Sequence, residues 1–250
     1  MIGANGQTTV ARNRLQALGS QIDPYDHAHA GHATKRAVNF FGHAAVASWS
    51  DPAAGRAMGA MLPDFATMCR SRLGEPSDAM VASGVALHHA TDAAFHRLAP
   101  VTALMRELDD RLAFLGCARG PRRAVAHIGV ELMLDGVLVS EAGYRACYLA
   151  GLDHGNRGVR WVDTEGPRYF EFLLERLRRH GVPDDLQRIE SIAQRLQRIL
   201  GHRPLLAPSP ADMAAIVVAM REQRPRIEIA AETVMRALRA AMESAATASD

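Results

Sequence analysis

The chain has no cysteine pair, no membrane-length apolar run, no excess of one charge and no nucleotide-binding loop. Each absence removes a class of function. Its three cysteines, Cys69, Cys117 and Cys147, are scattered and never spaced C-x-x-C. Such a set fits reduced, buried thiols rather than a disulfide framework or a redox motif. No apolar stretch approaches the ~20 residues that a membrane-spanning helix needs, and no basic segment with a short apolar run opens the sequence. The expectation is a soluble, cytoplasmic protein with no membrane partner. Lys and Arg total 29 against 27 Asp and Glu, a net charge of +2 that is too balanced to argue for a nucleic-acid partner. G-x-S-x-G, Walker A and G-x-G-x-x-G elements are missing, so serine-hydrolase and nucleotide-loop chemistry lack support.

Apolar residues at helical spacing fill most of the 250 positions, 48% of which are hydrophobic, and strand-like alternation is nowhere convincing. The class expected is all-α, about eight helices in a single compact domain. Residues 1–33 read as a loose N-terminal arm with one short helix near Arg12 to Leu18. Residues 34–250 read as the helical domain, in which 34–150 form a core and 159–250 pack on it or make a contact between two copies. The pattern predicts a helix from Lys35 to Trp49, then one from Ala53 to Leu62. Pro63 should break the second and leave Asp64 at a turn or a new helix start. Ser77 or Asp78 should cap a long helix that ends before Pro100. A helix over Val101 to Leu115 follows, then one opened by Pro121 and interrupted by Gly129, Gly136 and Gly143. Gly151 to Gly158 reads as a loop. Helices over Arg160 to Arg179, Asp184 to Leu200, Ala211 to Arg224 and Arg226 to Met242 complete the list, Pro225 separating the last two.

Two polar stripes interrupt these apolar helices. His88, Asp92 and His96 form one, and His127, Glu131 and Asp135 the other, both at i, i+4, i+8. Three such positions drift only about 80° around a helix axis, so each stripe is a ridge on one face. Ionisable groups on core-facing ridges need partners or a metal. Asn39 and His43 share a face one turn apart, and Asp64 follows the apolar run GAMLP. Together these residues put imidazole and carboxylate groups on four elements, the donor set of a mono- or binuclear hydrolytic metal site. Such a donor set takes Mn, Mg or Fe more readily than a thiolate site would, with Zn as an alternative. His89, next to His88, points about 100° away from it and should sit behind the ligands or face substrate. The competing reading is a buried hydrogen-bond network with no metal.

Two further patterns carry less. His27, His29 and His32 in DHAHAGH miss the H-x-H-x-D-H metal motif by one residue and lack its strand. Arginines cluster at Arg119, Arg122 and Arg123, at Arg176, Arg178 and Arg179, and at Arg221, Arg224 and Arg226. Runs of this kind are usually solvated helix faces, and the alternative is docking of an acidic partner. Met213, Met220, Met235 and Met242 read as core or oligomer-contact residues.

The order NFFGHAAVA, GAMLPDF, GVALHHATD and VELMLDGVL resembles the acyl carrier protein phosphodiesterase (ACP hydrolase) family, over roughly Asn39 to Leu138. The resemblance implies an HD-phosphohydrolase-like helical core. It also implies metal-dependent, usually manganese-dependent, release of 4′-phosphopantetheine from holo-acyl carrier protein, an acidic partner. It touches Asn39, His43, Asp64, His88, Asp92, Glu131 and Asp135. On this reading His43, Asp64, His88 and Asp92 hold the metal, and Glu131, Asp135, His96 and His89 serve catalysis. Asn39 and His127 support them. The chain departs from the family where His89 replaces an Arg, where His96 and Glu131 each replace an Asp, and where Gly136 replaces a His. Fold and metal site transfer better than substrate. The alternatives are another helical metallohydrolase, acting on a phospholipid or small phosphoester, and a non-catalytic helical scaffold.

Overall fold

The apolar periodicity becomes helix almost throughout. A computed structural model of the chain describes residues 39–50 and 53–247. Its helices are α1 (Phe40–Ala47), α2 (Ala54–Met68), α3 (Ala79–Phe95), α4 (Ala99–Phe114) and α5 (Arg119–Leu138). They continue with α6 (Ala142–His154), α7 (Gly166–His180), α8 (Ile189–Gly201) and α9 (Pro210–Thr247), a 3-10 turn at Asp184–Gln187 preceding α8. Among the described residues the only β-type pairing is an isolated bridge between Leu73 and Trp161, so the class is all-α. The N-terminal arm, its short helix, His27, His29 and His32, and the expected helix start at Lys35 lie outside the described residues. No described helix is long and apolar enough to cross a membrane.

Two helices form the centre. In α1, Phe40, Phe41, Ala44, Ala45, Val46 and Ala47 are all buried, and a helix apolar on every side must be enclosed. It lies against α2, α3, α5 and α6. Every residue of α5 from Ile128 to Gly136 is buried, and α1, α4, α8, α9 and the 3-10 turn surround it. Glu131 and Asp135 therefore sit in the longest unbroken buried stretch among the described residues.

The two prolines expected to end helices do not. Pro63 lies inside α2 and Pro225 inside α9. A proline in a helix interior costs about 3 kcal/mol through a lost hydrogen bond and a steric clash. Burying one large apolar side chain returns about 1.5–3 kcal/mol, and Met58, Met61, Leu62 and Phe65 flank Pro63 with no exposure at all. In α9 a buried ridge runs unbroken past the proline, through Ile216, Met220, Gln223, Ile227, Ala231, Val234 and Leu238. Pro225 itself is exposed, so water can satisfy a carbonyl freed on that side. Continuity of α2 keeps Asp64 one turn from Ala60 on the same helix face.

Other expectations need smaller corrections. The loop expected from Gly151 begins later, since α6 runs to His154 and turns at Gly155 with φ 71°. The region beginning at Arg160 becomes helical only at Gly166. The stripe-bearing helix stops at Leu138, between Gly136 and Gly143. Asp78 is the cap of α3, its Oδ1 accepting from the N–H groups of Met80 and Val81 at 2.8 and 3.0 Å. Cys69, Cys117 and Cys147 are free and buried. Desolvation pushes Cys69 and Cys117 up to about 12 and raises Cys147, which leaves poor nucleophiles. Met220 is in the core, and Met213, Met235 and Met242 pack against it in part.

Candidate metal centre

The site starts from a backbone crossing. A Cβ on Gly59 would run into the Val81 carbonyl, and one on Gly84 into the Arg56 carbonyl, so α2 and α3 touch main chain to main chain. At that distance the His88 ring of α3 reaches across to α2. Its Nδ1 lies 2.9 Å from the Ala60 carbonyl oxygen. A carbonyl can only accept, so Nδ1 carries the proton and Nε2 is left as a lone-pair donor. This is how proteins orient a metal-binding imidazole.

His43 of α1 and Asp64 of α2 close on the same point. The His43 and His88 ring centroids are 3.9 Å apart, and His43 Nε2 is 4.0 Å from Asp64 Oδ2, too far for a hydrogen bond. One donor atom from each of His43, Asp64 and His88 lies within 4.8 Å of the others, and all three residues are buried. His43 Nδ1 and Asp64 Oδ2 have no hydrogen-bond partner. Orphaned buried polar atoms are costly, and a shared cation would relieve them. These residues could hold a metal ion.

The two stripes meet at a second point. His96 caps the C-terminal end of α3, and its ring stacks on His127 of α5 with centroids 4.6 Å apart and planes 19° from parallel. Their Nε2 atoms are 3.5 and 3.3 Å from the same oxygen, Glu131 Oε1. Neither carboxylate oxygen of Glu131 makes a hydrogen bond. His96, His127 and Glu131 form a second group whose donor atoms lie within 4.8 Å of one another.

Between the groups, Asp92 stands on the rim, its side chain 50% exposed, with Oδ1 3.1 Å from His96 Nε2. Asn39, His43, Asp92, Glu131 and Asp135 line one cleft. Asn39 is the residue before α1 rather than part of its face, and its side chain makes no capping bond. Asp135 does that work from α5. The backbone N–H groups of Gly42 and Phe41 hydrogen-bond to its carboxylate, and a Cβ on Gly42 would lie 2.8 Å from Oδ1. His89 is not brought to the cleft: it is exposed and meets His88 edge-on at 5.3 Å.

The electrostatics are those of a site with too many like charges. Desolvation, then Asp92, raises Asp64 well above the ordinary carboxylate range. Desolvation, then Asp64, Asp92 and Asp135, does the same to Glu131, and desolvation with Asp64 outweighs the α1 N–H groups at Asp135. Burial and the neighbouring histidines hold His43 well below its ordinary value. Burial also lowers His88. Asp92 is lowered, chiefly by its hydrogen bond to His96. Ionised acids and neutral imidazoles in one place are the protonation states a cation selects.

Three features escaped the sequence reading. Thr91 is buried beside Asp92, its hydroxyl unpartnered, and lines the cleft. Gly42 permits the approach of Asp135, and its only sequence signal was a glycine inside an apolar helix. Val46, Phe95, Leu134, Val234, Met235 and Leu238 give the same cleft an apolar lining, half of it from α9. Most of the clustered arginines are already engaged: Arg122 with Asp109, Arg179 with Glu175, Arg221 with Glu190, Arg224 with Glu228 and Arg226 with Glu107. No family model, curated protein or solved structure matches this chain.

Proposed function

We propose that the protein is a metal-dependent phosphodiester hydrolase of the kind the acyl carrier protein phosphodiesterase motifs suggest. The observation that carries this is the buried His43, Asp64 and His88 group with its orphaned donor atoms, His43 also lining the cleft. A divalent cation, manganese first by the resemblance, would polarise a phosphoryl oxygen and acidify a water there. His43, Asp64 and His88 would hold it, His88 with its ring already fixed by Ala60. Asp92, half-exposed and kept ionised by His96, is placed to take the proton of the attacking water. As the new oxygen–phosphorus bond forms, the bond to the leaving alcohol breaks and that alcohol gains a proton from water at the cleft mouth. Thr91 offers a buried hydroxyl to a phosphoryl oxygen. Asp135 fixes α1 and so positions His43.

Two observations favour a second reading within the same chemistry, a phosphoester with an apolar arm such as a phospholipid. The cleft is lined by apolar side chains beside its polar groups. Gly136 stands where the family has a histidine, and any Cβ there would strike the Leu186 carbonyl, so the family's side chain has no room. The test is elemental analysis of untagged protein with manganese-dependent hydrolysis of holo-acyl carrier protein, a phospholipid and bis(p-nitrophenyl) phosphate. Stoichiometric metal and turnover lost together in His88→Gln are expected. A folded, metal-free protein inactive on all three substrates would leave the ridges as a structural network.

A further inference from the structure

The His96, His127 and Glu131 group is too convergent to be explained as ordinary ion pairing. One imidazole N–H would satisfy one carboxylate oxygen, yet two stacked rings bring Nε2 within 3.5 and 3.3 Å of the same Oε1. Neither approach has hydrogen-bond geometry, and Oε2 has no partner either. Glu131 is 2% exposed, so the carboxylate cannot turn to water. The donor spacings are 3.3 and 3.5 Å. Neighbouring ligands about 2.1 Å from one ion stand about 3.0–3.4 Å apart in octahedral or tetrahedral geometry. Two stacked imidazoles and one carboxylate thus offer donor atoms that all lie within 4.8 Å of one another, close enough to share one ion.

We infer that His96, His127 and Glu131 bind a second divalent cation, beside the one held by His43, Asp64 and His88. Two nitrogens and one oxygen suit Mn, Fe or Zn, and the absence of thiolate argues against a soft ion. Asp92 Oδ1, 3.1 Å from His96 Nε2, lies at the edge of this site and accepts from His96 only while the ring is unligated. The side chains of His96 and His127 are 28% and 21% exposed, against 4% for His43. Ions should therefore exchange faster here than in the buried site. The inference deepens the metallohydrolase reading and rests on it only for the use made of the second ion.

The test is metal stoichiometry on full-length, untagged protein in which His27, His29 and His32 are replaced by alanine, since that arm could bind adventitious ions. The protein is titrated with manganese(II) chloride, bound metal is counted, and the electron paramagnetic resonance spectrum is recorded. Two ions per chain are expected, the weaker lost in His127→Gln and in His96→Gln. The first site should keep its affinity within about threefold. A spectrum of two coupled ions should become that of one. His127→Gln keeps the ring's size and a donor, and circular dichroism confirms that each variant is folded. One ion per chain, or two that both survive His127→Gln, overturns this inference and leaves the proposed function standing. No bound ion in the starting protein overturns both.

Discussion

The two polar groups of the cleft are built from the same residue types and behave differently because of what surrounds them. His43, Asp64 and His88 are buried at the junction of α1, α2 and α3. There desolvation dominates every protonation equilibrium, lowering both histidines and raising the aspartate. His96 and His127 are partly exposed, and only Glu131 of their group is deeply buried. If both groups hold ions, depth rather than composition would separate a tight, preorganised site from an exchangeable one. An imidazole locked by a backbone carbonyl, as His88 is by Ala60, gives up little freedom on binding an ion. His96 must first leave Asp92.

The largest effect that would break this contrast is in the deep group. Asp64→Ala should remove the tightly bound metal and lower phosphodiesterase turnover by more than about a thousandfold, since a ligand and the ion are lost together. Normal turnover from a folded Asp64→Ala protein would end the assignment. The shallow group should respond less, with His96→Gln reducing turnover about 10- to 100-fold, a loss partly recovered by raising manganese in the assay.

The contrast also has a pH signature in stability. In metal-free protein the folded values of Asp64 and Glu131 are raised. Their contribution to stability is therefore complete below the ordinary carboxylate range and is lost as pH rises through the folded values. Thermal melts with chelator should show stability falling as pH rises above the ordinary carboxylate range, with Asp64→Asn flattening the fall. Saturating metal should abolish it. A chelated protein with the same pH profile as the loaded one would refute the account.

Asp212, far from the cleft, is the control with the opposite sign. Desolvation opposes its ionisation, but bonds from the Ala118 N–H and from the Ser209 hydroxyl and N–H outweigh it and lower the group to about 2. Its stabilisation is complete above its ordinary value and is lost as pH falls toward 2. Asp212→Asn should cost about 2 kcal/mol near neutral pH, measured by urea denaturation, and little below about pH 2. The smallest expected effect is on substrate choice: Met235→Gln in the apolar lining should weaken a phospholipid substrate several-fold and leave bis(p-nitrophenyl) phosphate nearly unchanged. Equal loss on both would remove the argument for an apolar arm.

Much of this was readable from residue order. The stripes, the capping by Asp78, the reduced thiols and the all-α class all follow from spacing and residue type, which act over one or two turns. Pro63 and Pro225 misled because their cost is local, while the burial that outweighs it involves helices distant in the chain. His89 was expected to point about 100° away from His88, and packing leaves it exposed and outside the cleft lining. Thr91 and Asp135 could be placed only once α1, α3 and α5 were packed together.

The sequence by itself determined that ionisable ridges would lie on apolar helices, because helical period is a property of the backbone. Only the tertiary structure decided that those ridges converge in two groups rather than one. The Gly59–Gly84 crossing sets the distance from α2 to α3, and the packing of α5 against α1 brings Asp135 to cap α1. Packing distance and solvent exclusion are fixed by all the helices together, and no single stretch of sequence encodes them.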